Sequence, residues 1–184
     1  MPDIDESQLI DASLQGNSAA FGELVQIHQH RLFNAMANFC GNATEAEDVV
    51  QEAFVQAYLK LAKFQQNSQF YTWLYRIAFN AAISRKRRKR VEASVDKNRE
   101  EAGLEPVDGG DAPGDQMMRD EQAALVHKAL AMLSDGHREI LVLREMDGCD
   151  YEQIAELLDI NVGTVRSRLH RARMQLKERL VELG

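Results

Sequence analysis

Residues 103–115, GLEPVDGGDAPGD, constrain the fold more than any other stretch. Four glycines and two prolines stand among Glu105, Asp108, Asp111 and Asp115, with too few apolar side chains to build a core. Such a segment stays solvated and breaks any helix or strand that enters it. The surrounding residues 91–117 also lose the regular apolar spacing seen on both sides. The chain is therefore expected to form two small units on a tether, which reaches roughly 90 Å fully extended at about 3.3 Å per residue.

Both flanks read as helices. Phe21, Leu24, Val25 and His28, then Leu32, Phe33, Met36 and Phe39, recur at three- and four-residue steps. Gly41 and Asn42 interrupt them, and Thr44 with Glu47 three residues on has the form of a capping box. A helix over about 45–63 carries Val49, Val50, Ala53, Phe54, Ala57, Tyr58 and Leu61 on one face. Its opposite face holds Glu45, Asp48, Gln51, Glu52 and Gln56. After the polar run QQNSQ (65–69), a helix over 70–90 has Phe70, Trp73, Leu74, Ile77, Ala78 and Ala81 as its core stripe. It ends in six consecutive bases, Arg85 to Arg90. Beyond the tether, Leu125, Val126, Ala129, Leu130 and Leu133 mark a further helix, Ser134 or Asp135 can cap the next, and Ile140, Leu141 and Leu143 run to a turn at Asp147 and Gly148.

Residues 151–176 are the most specific part of the second flank. Tyr151, Ile154, Ala155 and Leu158 line a two-turn helix, Ile160 plugs a turn, and Asn161 is suited to cap a second helix from Val162. Val165 and Leu169 point back inward, giving a helix-turn-helix in which small Ala155 permits close crossing. Asp159 holds the turn position where glycine is usual, and an aspartate tolerates the left-handed conformation at about 1 kcal/mol. The outward side chains are then Thr164, Arg166, Ser167, Arg168, His170 and Arg171. A helix of this kind enters the major groove, where arginine forks onto guanine or phosphate. The bases also crowd the start of the helix, where its dipole opposes them, so they call for an anionic partner rather than a dipole role.

Charge is distributed in blocks. Residues 85–99 carry net +6 and residues 160–184 net +4, although the whole chain is net −7. An acidic bulk repels phosphate, so any grip on nucleic acid is local and in need of assistance. Cys40 and Cys149 are more than a hundred positions apart, with no partner at metal-ligand spacing, and are expected to be reduced core residues. His28 and His30, two positions apart, do not share a helix face. No Gly-rich phosphate loop, Ser/His/Asp arrangement or metal spacing points to catalysis, so no enzyme and no cofactor are expected. The acidic start MPDIDESQLI does not read as a secretory leader, and no apolar run approaches the roughly 20 residues of a membrane span. The expected location is cytoplasmic.

Four segments together resemble the extracytoplasmic-function (ECF) sigma factors of bacterial RNA polymerase. They are AEDVVQEAFVQAY (46–58), FYTWLYRIAFNAA (70–82), LSDGHREILVLR (133–144) and YEQIAELLDINVGTVRSRLHRAR (151–173). The resemblance implies an all-α fold of two helical domains. Residues 1–90 would form a region 2-like domain that docks on core polymerase and reads and melts the −10 element. Residues 91–117 would be the linker, and residues 118–184 a region 4-like domain for the −35 element. It implies core docking through Asp48, Gln51 and Glu52, against a basic coiled coil of the beta-prime subunit. It assigns −10 DNA to Asn67, Ser68, Phe70, Tyr71, Tyr75, Arg85, Arg87 and Arg88, and −35 DNA to Thr164, Arg166, Ser167, Arg168, His170 and Arg171. The implied partners are core polymerase (beta-prime and beta subunits), promoter DNA and an anti-sigma factor, without direct membrane insertion. A free-standing regulator of the response-regulator type competes with this reading, but the N-terminal half has neither the strand pattern nor the phosphoacceptor pocket of a receiver domain. A polymerase-binding decoy is disfavoured by the DNA-reading residues present in both halves.

Overall fold

The computed structural model of the chain describes residues 5–66, 68–95 and 113–184, and among these every regular element is helical. The first unit comprises α1 (Glu6–Leu14), α2 (Ser18–Cys40), α3 (Ala43–Lys60), a 3-10 turn (Leu61–Lys63) and α4 (Phe70–Val95). The second comprises α5 (Pro113–Ala131), α6 (Asp135–Leu141), a π-turn (Val142–Met146), α7 (Tyr151–Leu158) and α8 (Val162–Leu183). Helix α4 runs on to Val95 and α5 begins at Pro113, both inside the stretch expected as linker. The GLEPVDGGDA part of that stretch lies outside the described residues.

In the first unit, Leu24, Leu32 and Met36 of α2 meet Val49, Ala53 and Ala57 of α3 and Leu74 and Ala78 of α4, all fully buried. Alanines on α3 let α2 and α4 approach closely, so the larger side chains interdigitate between three helices. Each buried leucine contributes roughly 2 kcal/mol. Tyr58, expected in this stripe, is half-exposed at the rim and sits edge-on to Phe21 at 5.0 Å. The cap of α3 also differs from expectation. Gly41 takes the left-handed conformation (φ +69°), which closes α2 one residue earlier. Asn42 is then extended and caps α3, its Oδ1 accepting from Glu45 N–H at 2.9 Å, while Thr44 is already helical.

In the second unit Ile140, Ile154, Val165 and Leu169 form the core. Ser134 occupies the N-cap position of α6 without a side-chain cap bond. Asp150 and Gln153 make a reciprocal capping box at the start of α7 (2.7 and 2.9 Å). Asp159 ends α7 at φ +54°, ψ +48°, the left-handed turn expected of it, and Asn161 starts α8. Leu157 rather than Leu158 is the buried leucine of α7, three residues after Ile154. Leu158 is half-buried, and both leucines line the cleft opposite α4.

The two units are not held apart. The π-turn packs on α2, and α7 packs on α4. Polar contacts cross between them. Asn38 hydrogen-bonds the Asp147 carboxyl. The Arg138 guanidinium lies 5.5 Å from the Phe39 ring centre. Arg76 donates to the carbonyls of Leu157 (3.1 Å) and Glu156 (2.5 Å), the exposed end of α7. Arginine at a helix C-terminus satisfies orphan carbonyls and complements the dipole.

Candidate nucleic-acid interface

Helix α8 presents its polar face because Val165, Leu169 and Ala172 turn inward. At 100° per residue, Ser167 then points most directly outward, flanked by His170 and Arg171, with Arg166 and Arg168 on opposite edges. Asn161 Oδ1 accepts from both the N–H (2.7 Å) and the hydroxyl (3.0 Å) of Thr164, which fixes the first turn. Ser167 Oγ donates to Thr164 O at 3.1 Å. Arg166, Ser167, His170 and Arg171 are exposed, whereas Thr164 and Arg168 are half-buried. Arg166 lies 5.9 Å from the Tyr151 ring centre. Arg173 is bound to Glu145 (2.6 and 2.9 Å) and so is neutralised within the fold.

Arg168 departs from the expected exposed set. It lines a cleft of about 300 Å³ between the units, with Tyr75, Arg76, Phe79 and Asn80 of α4 and Glu139 of α6. Burial pushes the Glu139 carboxyl up to about 8, a rise that the nearby Arg168 charge opposes.

The residues expected at the −10 strand are arranged differently from an open reading surface. Asn67 lies outside the described residues, and Ser68 is half-buried. Phe70, Tyr71 and Tyr75 are only 2%, 5% and 1% exposed. Phe70 completes an aromatic cluster with Phe64 (5.7 Å) and Trp73 (5.8 Å), beneath His28 (5.4 Å). The Tyr71 ring carries the Arg31 guanidinium at 3.9 Å. Tyr75 stacks on Phe79 at 6.3 Å, and its hydroxyl has no hydrogen-bond partner. Burial raises the pKa of both phenols. These rings lie where the apolar stripe of α4 turns onto α2, and Tyr75 also lines the cleft with Glu139, Leu157 and Arg168 of the second unit. The Asp147 carboxylate adds to the rise on both phenols.

The basic run of α4 is divided in the same way. Arg85 pairs with Asp48 (2.5 Å) and Glu52 (3.5 Å), and Lys89 with Glu45 (2.9 Å). Lys86 reaches Asp135 of the second unit. Arg87 and Arg88 are free to solvent. The acidic face expected for docking is thus partly engaged by α4: Asp48 and Glu52 share Arg85, while Gln51 is exposed.

Several residues that organise this region were not singled out from the sequence. Thr72, buried, meets Glu156 at 3.4 Å, and Arg76 lies four positions later on the same strip of α4. That i, i+4 polar pair beside an apolar stripe, containing the one cation of residues 64–84, was the available signal. Arg138 is buried and donates to Leu130 O (2.8 Å), Ala131 O (2.7 Å) and Leu133 O (3.3 Å), closing the end of α5. Asp147, pushed up to about 6 by burial, leaves Oδ2 without a partner. His28 lies 3.3 Å from Glu6 without hydrogen-bond alignment, and burial lowers its pKa.

Both cysteines are free thiols. Cys149 is buried as expected and Cys40 is half-buried, with burial raising the Cys40 pKa to about 12. Among the described residues no group of three or more His, Cys, Asp and Glu is placed to hold a metal ion. None of the described helices is long and apolar enough to cross a membrane.

Comparison with known proteins places these features in context. Sigma-70 region 2 matches residues 24–92, and sigma-70 region 4 matches residues 123–176. The RNA polymerase sigma-H factor of Pseudomonas aeruginosa is 39% identical, over 97% of this chain and 95% of its own. The ECF RNA polymerase sigma factor SigW of Bacillus subtilis is 36% identical, over 92% and 93%. Among solved structures, CnrH in complex with the cytosolic domain of CnrY has TM-score 0.66 at 27% identity, covering 97% of this chain and 99% of that one. The sigma factor RpoE bound to the anti-sigma factor NepR, from Bartonella quintana, has TM-score 0.65 at 28% identity, covering 89% and 98%.

Proposed function

Because the chain belongs to the ECF family of RNA polymerase sigma factors, we propose that its two helical units divide promoter recognition between them. As a sigma factor it binds core RNA polymerase and directs promoter-specific initiation. The first unit, residues 1–90, docks on core through Asp48, Gln51 and Glu52 of α3, which meet a basic helical surface of the beta-prime subunit. The same unit holds the −10 strand with Asn67, Ser68, Phe70, Tyr71 and Tyr75, rings and polar groups suited to an unstacked base. Arg85, Arg87 and Arg88 lie along the adjoining phosphates. Residues 118–184 set α8 in the major groove of the −35 element, read by Thr164, Arg166, Ser167, Arg168, His170 and Arg171, and residues 91–117 join the two units.

The observation that carries the −35 assignment is the Asn161-capped helix, with Ser167, His170 and Arg171 outward and no acidic residue in its first turn. A helix N-terminus and flanking arginines bind phosphate, and outward side chains reach base edges. The assignment carries the beta subunit as a second polymerase contact and an anti-sigma factor as the regulatory partner, as in the RpoE complex with NepR. The protein acts in the cytoplasm, inserts no segment in the membrane and needs no catalytic group or cofactor.

The test separates the two units. Asp48→Arg should weaken binding to purified core while leaving the isolated interaction with −35 duplex unchanged. Arg171→Ala should do the reverse, with the salt dependence of duplex binding falling by about one unit of log–log slope if one phosphate contact is lost. Equal effects of both variants on both assays would overturn the division of labour.

A further inference from the structure

We infer that Tyr151, the first residue of α7, is a positioning residue for promoter reading: its ring holds the Arg166 guanidinium in place without neutralising it. The inference rests on the −35 assignment above and adds the group that aims one of its arginines.

Arg166 is exposed near the start of α8, where the helix dipole opposes a cation and the first turn holds no acidic residue. A long side chain in such a place samples many rotamers, and fixing one of them on DNA costs affinity. Here the guanidinium lies over the Tyr151 ring, 5.9 Å from its centre. The ring is itself held. Reciprocal capping by Asp150 and Gln153 (2.7 and 2.9 Å) fixes the backbone where α7 begins. Arg144 donates to Cys149 O at 2.8 Å and lies 5.1 Å from the centre of the same ring. Arg173, bound to Glu145, reaches the Tyr151 hydroxyl. Tyr151 is half-buried and packs against the core of the second unit.

The kind of partner decides what each arginine can still do. Glu145 cancels the charge of Arg173 and occupies its N–H groups. Arg166 forms no ion pair among the described residues. An aromatic ring attracts a guanidinium through its negative face. The charge and the N–H edge then stay available for phosphate or for guanine. Tyr151 thus orients Arg166 before DNA arrives and leaves its donors unspent.

The test separates the ring's electrostatics from its bulk. Tyr151 is replaced by phenylalanine and by progressively fluorinated phenylalanines, which keep the shape while draining the negative face of the ring. Each variant is reconstituted with purified core polymerase, and binding to promoter duplex carrying the −35 element is measured with Arg166 present and in the Arg166→Ala background. Tyr151→Phe should retain most of the affinity. Fluorination should then weaken binding stepwise, by about two- to fivefold at full effect. In the Arg166→Ala background the series should be flat. Tyr151→Leu, which keeps apolar packing but has no ring, should show the same dependence on Arg166. A loss already complete at Tyr151→Phe, a series indifferent to fluorination, or equal losses in both backgrounds would overturn the positioning role and leave the −35 assignment standing. Arg166→Ala without effect on promoter binding would overturn the reading role of Arg166, and the inference with it.

Discussion

Replacing Glu139 by glutamine should make the protein more stable, and increasingly so as pH rises. Glu139 is 6% exposed at the junction of the two units. Burial raises its carboxyl from the ordinary 4.5 to about 8, with Arg168 offsetting only part of the cost. The folded state therefore binds a proton that the unfolded chain releases. The stability from the neutral acid is present in full below pH 4.5 and is lost progressively as pH climbs through about 8. At about 1.4 kcal/mol for each tenfold in proton affinity, the loss is about 3 kcal/mol at pH 7. Glutamine keeps the shape of the neutral acid but does not titrate. Glu139→Gln should thus be about 3 kcal/mol more stable at pH 7, equivalent to roughly 6–12 °C in melting temperature for a chain of this size. Asp147, raised to about 6 in the same sense, contributes equally to both proteins. The assay is urea unfolding followed by circular dichroism from pH 5 to 9. The wild type should lose stability relative to the variant across this range. Parallel pH profiles, or a variant less stable at pH 8, would refute a desolvated acid at this position.

Three further outcomes follow from the local structure. Asn161→Ala removes the acceptor for Thr164 N–H and Oγ1, and should cost about 1 kcal/mol in chemical denaturation while weakening −35 duplex binding. Arg138→Ala strips donors from three carbonyls at the end of α5 and should cost roughly 3–5 kcal/mol, seen as a large fall in melting temperature. Asp159→Gly relieves a left-handed residue and should be neutral or stabilising by up to about 1 kcal/mol, whereas the branched Asp159→Val should destabilise; thermal melts of the two variants distinguish them.

Local features were the more legible part of the sequence. The inward stripe of Val165 and Leu169, the Asn161 cap and the left-handed Asp159 each depend on residues within one turn, and each stands where the spacing puts it. The cap of α3 moved from Thr44 to Asn42 because Gly41 ends the preceding helix, a competition that spacing alone does not rank. Tyr71 and Tyr75 were the harder case. Their polar aromatic character fits a surface that reads bases, and the sequence contains no sign that a second unit lies over them. Tyr71 lies under Arg31 of α2, and Tyr75 lines the cleft with Glu139, Leu157 and Arg168, all three more than sixty positions further along the chain. Arg85 shows the same limit. A run of six bases reads as one patch, yet Asp48 and Glu52 draw Arg85 to α3 while Asp135 draws Lys86 to α6. Side-chain pairing across helices divides the run, and periodicity within one helix does not report it.

Run-off transcription tests the account at its centre. Purified bacterial core polymerase free of sigma is combined with this protein on DNA from the promoter region upstream of its own gene. The expected result is initiation at one defined start, dependent on and saturable by the protein, lost with Asp48→Arg through failed core binding and reduced with Arg171→Ala at a start that depends on the −35 element. Core polymerase bound normally by the protein, yet no defined start on any template carrying matched −10 and −35 elements, would contradict it.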